Sequence, residues 1–164
     1  MLEIRPTEPH DTSEMASILN ALIADGSTTA LSVPVSVTDM QNRIDHGGPK
    51  AIWHVAITET DELVGFQWVE PHKRLHPEVG DIATFARMGR TGLGVGSALF
   101  DATKHKSQSL GYEWINASIR ADNPSGLRFY ASRGFYDYSD IKDFRLDDGR
   151  IVDKVLKRFD LGID

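Results

Sequence analysis

The sequence predicts a mixed α/β (α+β) fold in one domain, residues 1–164: a mostly antiparallel central sheet of about seven strands flanked by about four helices. Three observations predict it. Short runs with period-2 alternation recur along the chain, and runs of helical period interrupt them. Their order, β-α-α-β-β-β-α-β-α-β-β, supplies helices to cover the faces of a sheet. A stretch of alternate glycines, 91–96, joins a strand directly to a helix in mid-chain.

Residues 2–5 alternate and end at Pro6, which makes a short first strand. From Thr12, the residues Met15, Ile18, Leu19, Leu22 and Ile23 fall at helical spacing, and Gly26 supplies a stop. Residues 27–36 are polar and β-branched, interrupted by Pro34, and read as a mobile loop. A second helix follows at 37–44, ended by Gly47-Gly48-Pro49. Loop and helix in this position either cover a substrate or form a surface connection. Residues 53–58 and 63–70 pair as a hairpin about Thr60-Asp61-Glu62. Next, Pro71 and Pro77 bound a polar segment with His72 and His76. With Glu70 and Glu78 beside them these are sound ligand types, but the prolines favour a solvated loop, and no metal is expected.

Residues 79–86 form a strand that runs into the glycine turn. The helix from Gly94 extends to about Leu110, with Gly111 at the C′ position. Residues 114–119 are a strand. Asn123 as N-cap and Pro124 as first helical residue then open a helix carrying Leu127, Phe129, Tyr130 and Ala131, which stops at Gly134. Residues 135–141 and 144–159 read as two strands, with Asp147-Asp148-Gly149 a hairpin turn inside the second segment.

A net charge of −6 argues against a general nucleic-acid binder and is compatible with a cationic substrate such as an amine, although surface acidity also serves solubility. The absence of cysteine excludes disulfides, a thiolate nucleophile and the common zinc frameworks. No apolar stretch approaches the ~20 residues that span a bilayer, so no membrane partner is expected. The first residues show no basic region followed by an apolar run, so a signal peptide is not expected and a cytoplasmic location is.

The glycine turn carries the chemistry. A glycine-rich turn opening into a helix presents unpaired backbone N–H groups with the positive end of the helix dipole behind them, an anion cradle. A P-loop is excluded because no Gly-Lys-Ser/Thr follows. A dinucleotide-binding unit is set aside because the turn follows hairpins in mid-chain.

With the strand, glycine turn, helix, and Asn123-to-Phe135 helix in place, the chain resembles the GNAT superfamily of N-acetyltransferases, most strongly over 81–135. Its layout is loosely similar to the phosphinothricin acetyltransferase type. The resemblance implies a GNAT-like acyl-CoA N-acyltransferase fold and acetyl-CoA as co-substrate. Gly92, Leu93, Gly94, Val95 and Gly96 match the pyrophosphate turn, with Thr91 where Gln or Arg is usual and Arg90 one residue early. Phe85, Ala86 and Arg87 match the splayed strand that pairs with the pantetheine arm. Asn123 matches a position reaching the pantetheine amides, besides its N-cap role, and Arg133 is either a phosphate partner or an exposed helix arginine.

An amine attacking a thioester must be neutral, although an alkylammonium has a pKa of about 10, so the site needs a base or a water chain to one. The leaving thiolate benefits from an acid. Tyr130 matches the family's tyrosine beside the sulfur; by pattern alone it is a core aromatic. Asp81 matches the acidic position on the strand before the turn, against the reading of a strand-end aspartate in solvent; Glu70 is the reserve base. Without cysteine, direct transfer in a ternary complex is the simple route. The implied partner is a primary amine of a small molecule or peptide, and homodimers are frequent in the resembled family. A non-catalytic acyl-CoA-binding sensor is the alternative.

Overall fold

The computed structural model describes residues 1–90 and 92–162; Thr91 lies outside the described residues. Strands β1 (Glu3–Pro6), β2 (Ile52–Ile57), β3 (Leu63–Pro71), β4 (Val79–Ala86), β5 (Trp114–Arg120), β6 (Tyr136–Arg145) and β7 (Ile151–Asp160) form one sheet in the order β1-β2-β3-β4-β5-β7-β6. Every pairing is antiparallel except β4 with β5. That one parallel pair needs a long crossover, and the glycine turn with its helix provides it.

Side-chain alternation assigns the two faces. Helices α1 (Thr12–Asp25) and α2 (Val37–Asp45) cover the first: Met15, Ile18, Leu19 and Met40 pack on Trp53, Val55, Phe66, Trp68 and Phe85. Helices α3 (Val95–Ser109) and α4 (Pro124–Ser132) cover the second, where Phe100 and Tyr130 meet Ile82, Ile115 and Ile119, and Leu99 meets Ala56 and Val64. Among the described residues no helix is long and apolar enough to cross a membrane.

The expected order of elements holds, with α1 ended by Gly26 in the left-handed region (φ 76°). The C-terminal hairpin differs in one respect. The sequence reading breaks the strand after Ile141, but β6 continues to Arg145 through a register shift between Ile141 and Phe144. Asp143 takes a positive φ of 54° there, and its N–H bonds to Asp153 Oδ1 at 3.0 Å, so the interruption is a bulge. A 3-10 turn at Pro9–Asp11 also precedes α1, closed by the Asp11 carboxylate on the Glu8 amide at 2.8 Å.

The feature that creates the site is where β4 and β5 part. They pair from Val79 with Trp114 to Ile82 with Ala117, and no further. Beyond that point β4 stays on β3 as far as Ala86 while β5 runs on to Arg120. Among the described residues the β5-facing edge of 83–86 has no strand partner.

Candidate active site

A cavity of about 520 Å³ opens at this parting. Its walls include Asp81 to Ala86 of β4, Ser118 to Arg120 of β5, Gly96 of α3, and Asn123, Phe129 and Tyr130 around α4. Residues 28–31 form its cover. A second cavity, of about 560 Å³, lies between α1, α2 and β3 and shares Leu31, Arg43 and Trp68 with the first.

The turn before α3 leads into Gly96, which is in the cavity wall. Gly92 and Gly94 have φ of 81° and 69°, and a Cβ on either would meet nothing within 4 Å. Conformation, not space, calls for glycine there. Among the described residues no side chain caps α3, and its first helical bond is Ala98 N–H to Gly94 O at 3.0 Å. The N–H groups of Val95, Gly96 and Ser97 precede that bond, so they are open to an anion at the positive end of the helix. Gly96 is different: a Cβ there would come within 2.7 Å of the Phe129 ring, so its bareness lets α3 and α4 close on each other.

Tyr130 is carried by α4, which starts where it does because Asn123 Oδ1 accepts from the Gly126 N–H at 3.1 Å. The phenol is 7% exposed, and its Oη lies 2.9 Å from Thr84 Oγ1. Thr84 in turn accepts from Gln67 Nε2 at 2.8 Å. Burial raises the Tyr130 pKa; the Thr84 bond works against that, and the nearby Asp81 adds to it.

Asp81 reaches the same cavity from the other face of β4, beside Glu70 across the β3–β4 ladder and Asn116 across the β4–β5 ladder. Asn116 Nδ2 donates to Asp81 Oδ1 at 3.0 Å, and Tyr138 Oη donates to Asn116 Oδ1 at 2.5 Å. Burial pushes the Asp81 carboxyl above the usual carboxylate range, against the Asn116 hydrogen bond and the charge of His72 and Lys154; Glu70 adds to the rise.

Of the residues singled out in the sequence, Asp81, Phe85, Ala86, Gly96, Asn123 and Tyr130 line this cavity. Val95 packs into the core with Val64 and Leu99, and Leu93 is exposed at the turn. The Arg87 guanidinium points elsewhere, to Glu14 at 2.6 Å and the Leu63 carbonyl at 2.9 Å, while its N–H bonds to Val64 O. Arg133 ends α4 with Nε buried and without a hydrogen-bond partner among the described residues. Asn123 Nδ2 donates to the Thr28 carbonyl at 3.3 Å. Glu70 holds Arg43 through two bonds, 2.7 and 3.3 Å, and that guanidinium lies over Trp68, 4.3 Å from the ring centroid.

Sequence reasoning missed Gln67, Thr84, Arg43 and Arg120. Gln67 had a signal, as the lone amide in an apolar run. Arg120 is 4% exposed and binds Asp122, the Gly26 carbonyl at 2.8 Å and the Thr29 carbonyl at 3.1 Å. The loop expected to be mobile is thus hydrogen-bonded to the end of β5. His72, expected in a solvated loop, shapes it: its Nδ1 accepts from the Arg74 and Leu75 amides at 3.1 and 3.0 Å.

The pattern of the acetyltransferase (GNAT) family matches residues 19–135, and the chain belongs to that family. Over 84 residues the chain is 31% identical to mycothiol acetyltransferase of Paenarthrobacter aurescens (strain TC1), covering 49% of this chain and 26% of that protein. The chain thus spans about a quarter of that relative's length. Among solved structures, a GNAT superfamily phosphinothricin acetyltransferase from Sinorhizobium meliloti in complex with acetyl-CoA superposes with a TM-score of 0.89 at 20% identity, over 98% of this chain and 89% of that one. A ribosomal-protein-alanine N-acetyltransferase from Brucella melitensis gives 0.84 at 18% identity, over 96% and 99%.

Proposed function

We propose that the protein is an acetyl-CoA-dependent N-acetyltransferase that passes the acetyl group directly to a primary amine of a small molecule or peptide. The observation that carries the reading is the junction of Tyr130, Asp81 and the unpaired edge of β4 in one cavity. The cavity fits a long donor: the open amides of α3 suit a pyrophosphate, and the free edge of 83–86 suits the amides of a pantetheine arm. Acetyl-CoA supplies an acetyl group activated as a thioester.

The residues divide the remaining work. Asp81 takes the proton that the attacking nitrogen must lose, through water, and its raised pKa makes it a stronger base than an ordinary aspartate. A backbone N–H of 83–86 stabilises the oxygen on which negative charge develops. Tyr130 gives its proton to the leaving sulfur and regains one from solvent. In sum the nitrogen loses one proton, the sulfur gains one, and the acetyl group moves from sulfur to nitrogen. Glu70 is committed to Arg43, which favours Asp81 over it as the base. The Arg43–Trp68 pair borders both cavities, so an acceptor entering through the second passes it to reach Asp81.

The test is thiol release from acetyl-CoA across a panel of small amines and short peptides. Turnover with at least one acceptor, lowered about hundredfold in Tyr130→Phe with acetyl-CoA affinity retained, supports the reading. Tight acetyl-CoA binding without turnover on any acceptor overturns it in favour of a sensor.

A further inference from the structure

Gln67 is a fully buried amide in the middle of an apolar strand, and the chemistry above makes no use of it. Its Nε2 donates to Thr84 Oγ1, which shares a hydrogen bond with Tyr130 Oη. Either hydroxyl can donate in the second bond, but accepting from Gln67 polarises Thr84 to donate onward. Thr84 has one hydroxyl hydrogen, and Tyr130 Oη is the acceptor within its reach among the described residues. If Tyr130 donated to Thr84 instead, the threonine oxygen would accept twice and its own hydrogen would be the one left free in the cavity, which Thr84 also lines. With Thr84 donating, the phenol hydrogen of Tyr130 is the one left free, and Tyr130 lines the cavity.

We infer that Gln67 and Thr84 are positioning residues that set the direction of a hydrogen-bond chain ending at Tyr130, so that its phenol donates into the cavity towards the leaving sulfur. The inference rests on the reading of Tyr130 as the acid. Turning the Gln67 amide over would reverse the chain: its carbonyl would draw the Thr84 hydrogen, Thr84 would draw the Tyr130 hydrogen, and the cavity would lose its donor. Gln67 Nε2 faces Thr84, and among the described residues the side-chain oxygen has no partner. When the carbon–sulfur bond breaks, its electron pair stays on sulfur and takes the Tyr130 proton. Thr84 keeps its own proton and hydrogen-bonds the phenolate, which solvent then reprotonates. A donor aimed at the phenol oxygen also opposes the rise that burial imposes on Tyr130.

A double-mutant cycle tests this, with hydroxylamine as an acceptor small enough to need no pocket of its own. Thr84→Val is expected to lower kcat about tenfold in the wild-type background and to add nothing in Tyr130→Phe, with acetyl-CoA affinity unchanged in both. Thr84→Ser, which keeps the hydroxyl, recovers most of the loss. Gln67→Met, which keeps the volume and has no donor, lowers kcat about as far as Thr84→Val, and Gln67→Leu does the same if the methionine variant fails to fold. An equal loss from Thr84→Val in both backgrounds overturns the chain and leaves Tyr130 as the acid. No loss from Tyr130→Phe, or no wild-type turnover of hydroxylamine or of any acceptor in the panel, overturns the underlying reading and the chain with it.

Discussion

Gly96→Ala gives the sharpest test of how the cavity is walled. The added methyl carbon would stand 2.7 Å from Phe129 Cε1 and 2.9 Å from Cζ, so the ring must retreat by roughly 0.7 Å to reach the 3.4 Å of an ordinary contact. Gly96 and Phe129 both line the cavity at the parting of β4 and β5, so the retreat changes its wall. Two effects on stability oppose each other. Overpacking destabilises by about 1–3 kcal/mol, while replacing glycine by alanine within a helix restores up to ~1 kcal/mol. The melting temperature should therefore fall by only a few degrees. Acetyl-CoA affinity should fall about tenfold, a loss of ~1.4 kcal/mol, as measured by calorimetric titration of the folded variant. Adding Phe129→Leu removes the ring edge and should restore most of the affinity. Unchanged affinity in Gly96→Ala, or a loss that Phe129→Leu does not relieve, would refute the reasoning.

Asp81→Asn should separate activity from stability. The folded-state pKa of Asp81 is raised by burial, against the Asn116 bond, so the fold favours the protonated form. That contribution is present below the unfolded value and lost as pH rises through the folded one. Asp81→Asn should therefore melt higher than the wild type at pH 8, with the difference closing towards pH 4, while kcat/KM loses its acidic limb; a lower melt at pH 8 or a retained limb would count against the assignment. Arg120→Met removes a buried guanidinium, strips the Thr29 carbonyl of its donor and leaves the Gly26 carbonyl with Arg150. It should destabilise by about 2–3 kcal/mol in urea unfolding and speed amide exchange over 26–31, and a change within ~0.5 kcal/mol would show that the loop does not depend on it.

The parts legible in the sequence are those with local causes. Gly26 ends α1 because a left-handed residue is needed there, and Asn123-Pro124 opens α4 through a cap that reaches three residues ahead. The turn at 92–96 is readable because its glycines answer to φ and to one close approach, both properties of short sequence. The site around it was legible only in part because its contacts are long-range. Gln67, Thr84 and Tyr130 lie on three elements, 17 and 46 residues apart in their two bonds. Arg120 ties a loop 91 and 94 residues before it. No periodicity encodes such pairs, and Gln67 betrays itself only as a polar residue in an apolar run. Arg87 shows the converse: its position on β4 is predictable, but the partner that draws its side chain, Glu14, is 73 residues away.

The central claim is that the parting of β4 from β5 forms a donor site for acetyl-CoA. It is tested most directly by calorimetric titration of the purified protein with acetyl-CoA, run beside NAD and ATP. The account predicts saturable binding of acetyl-CoA alone, weakened by a bulky substitution at Gly94, whose φ of 69° an ordinary side chain resists. No binding of acetyl-CoA, or equal binding of all three nucleotides, would contradict it.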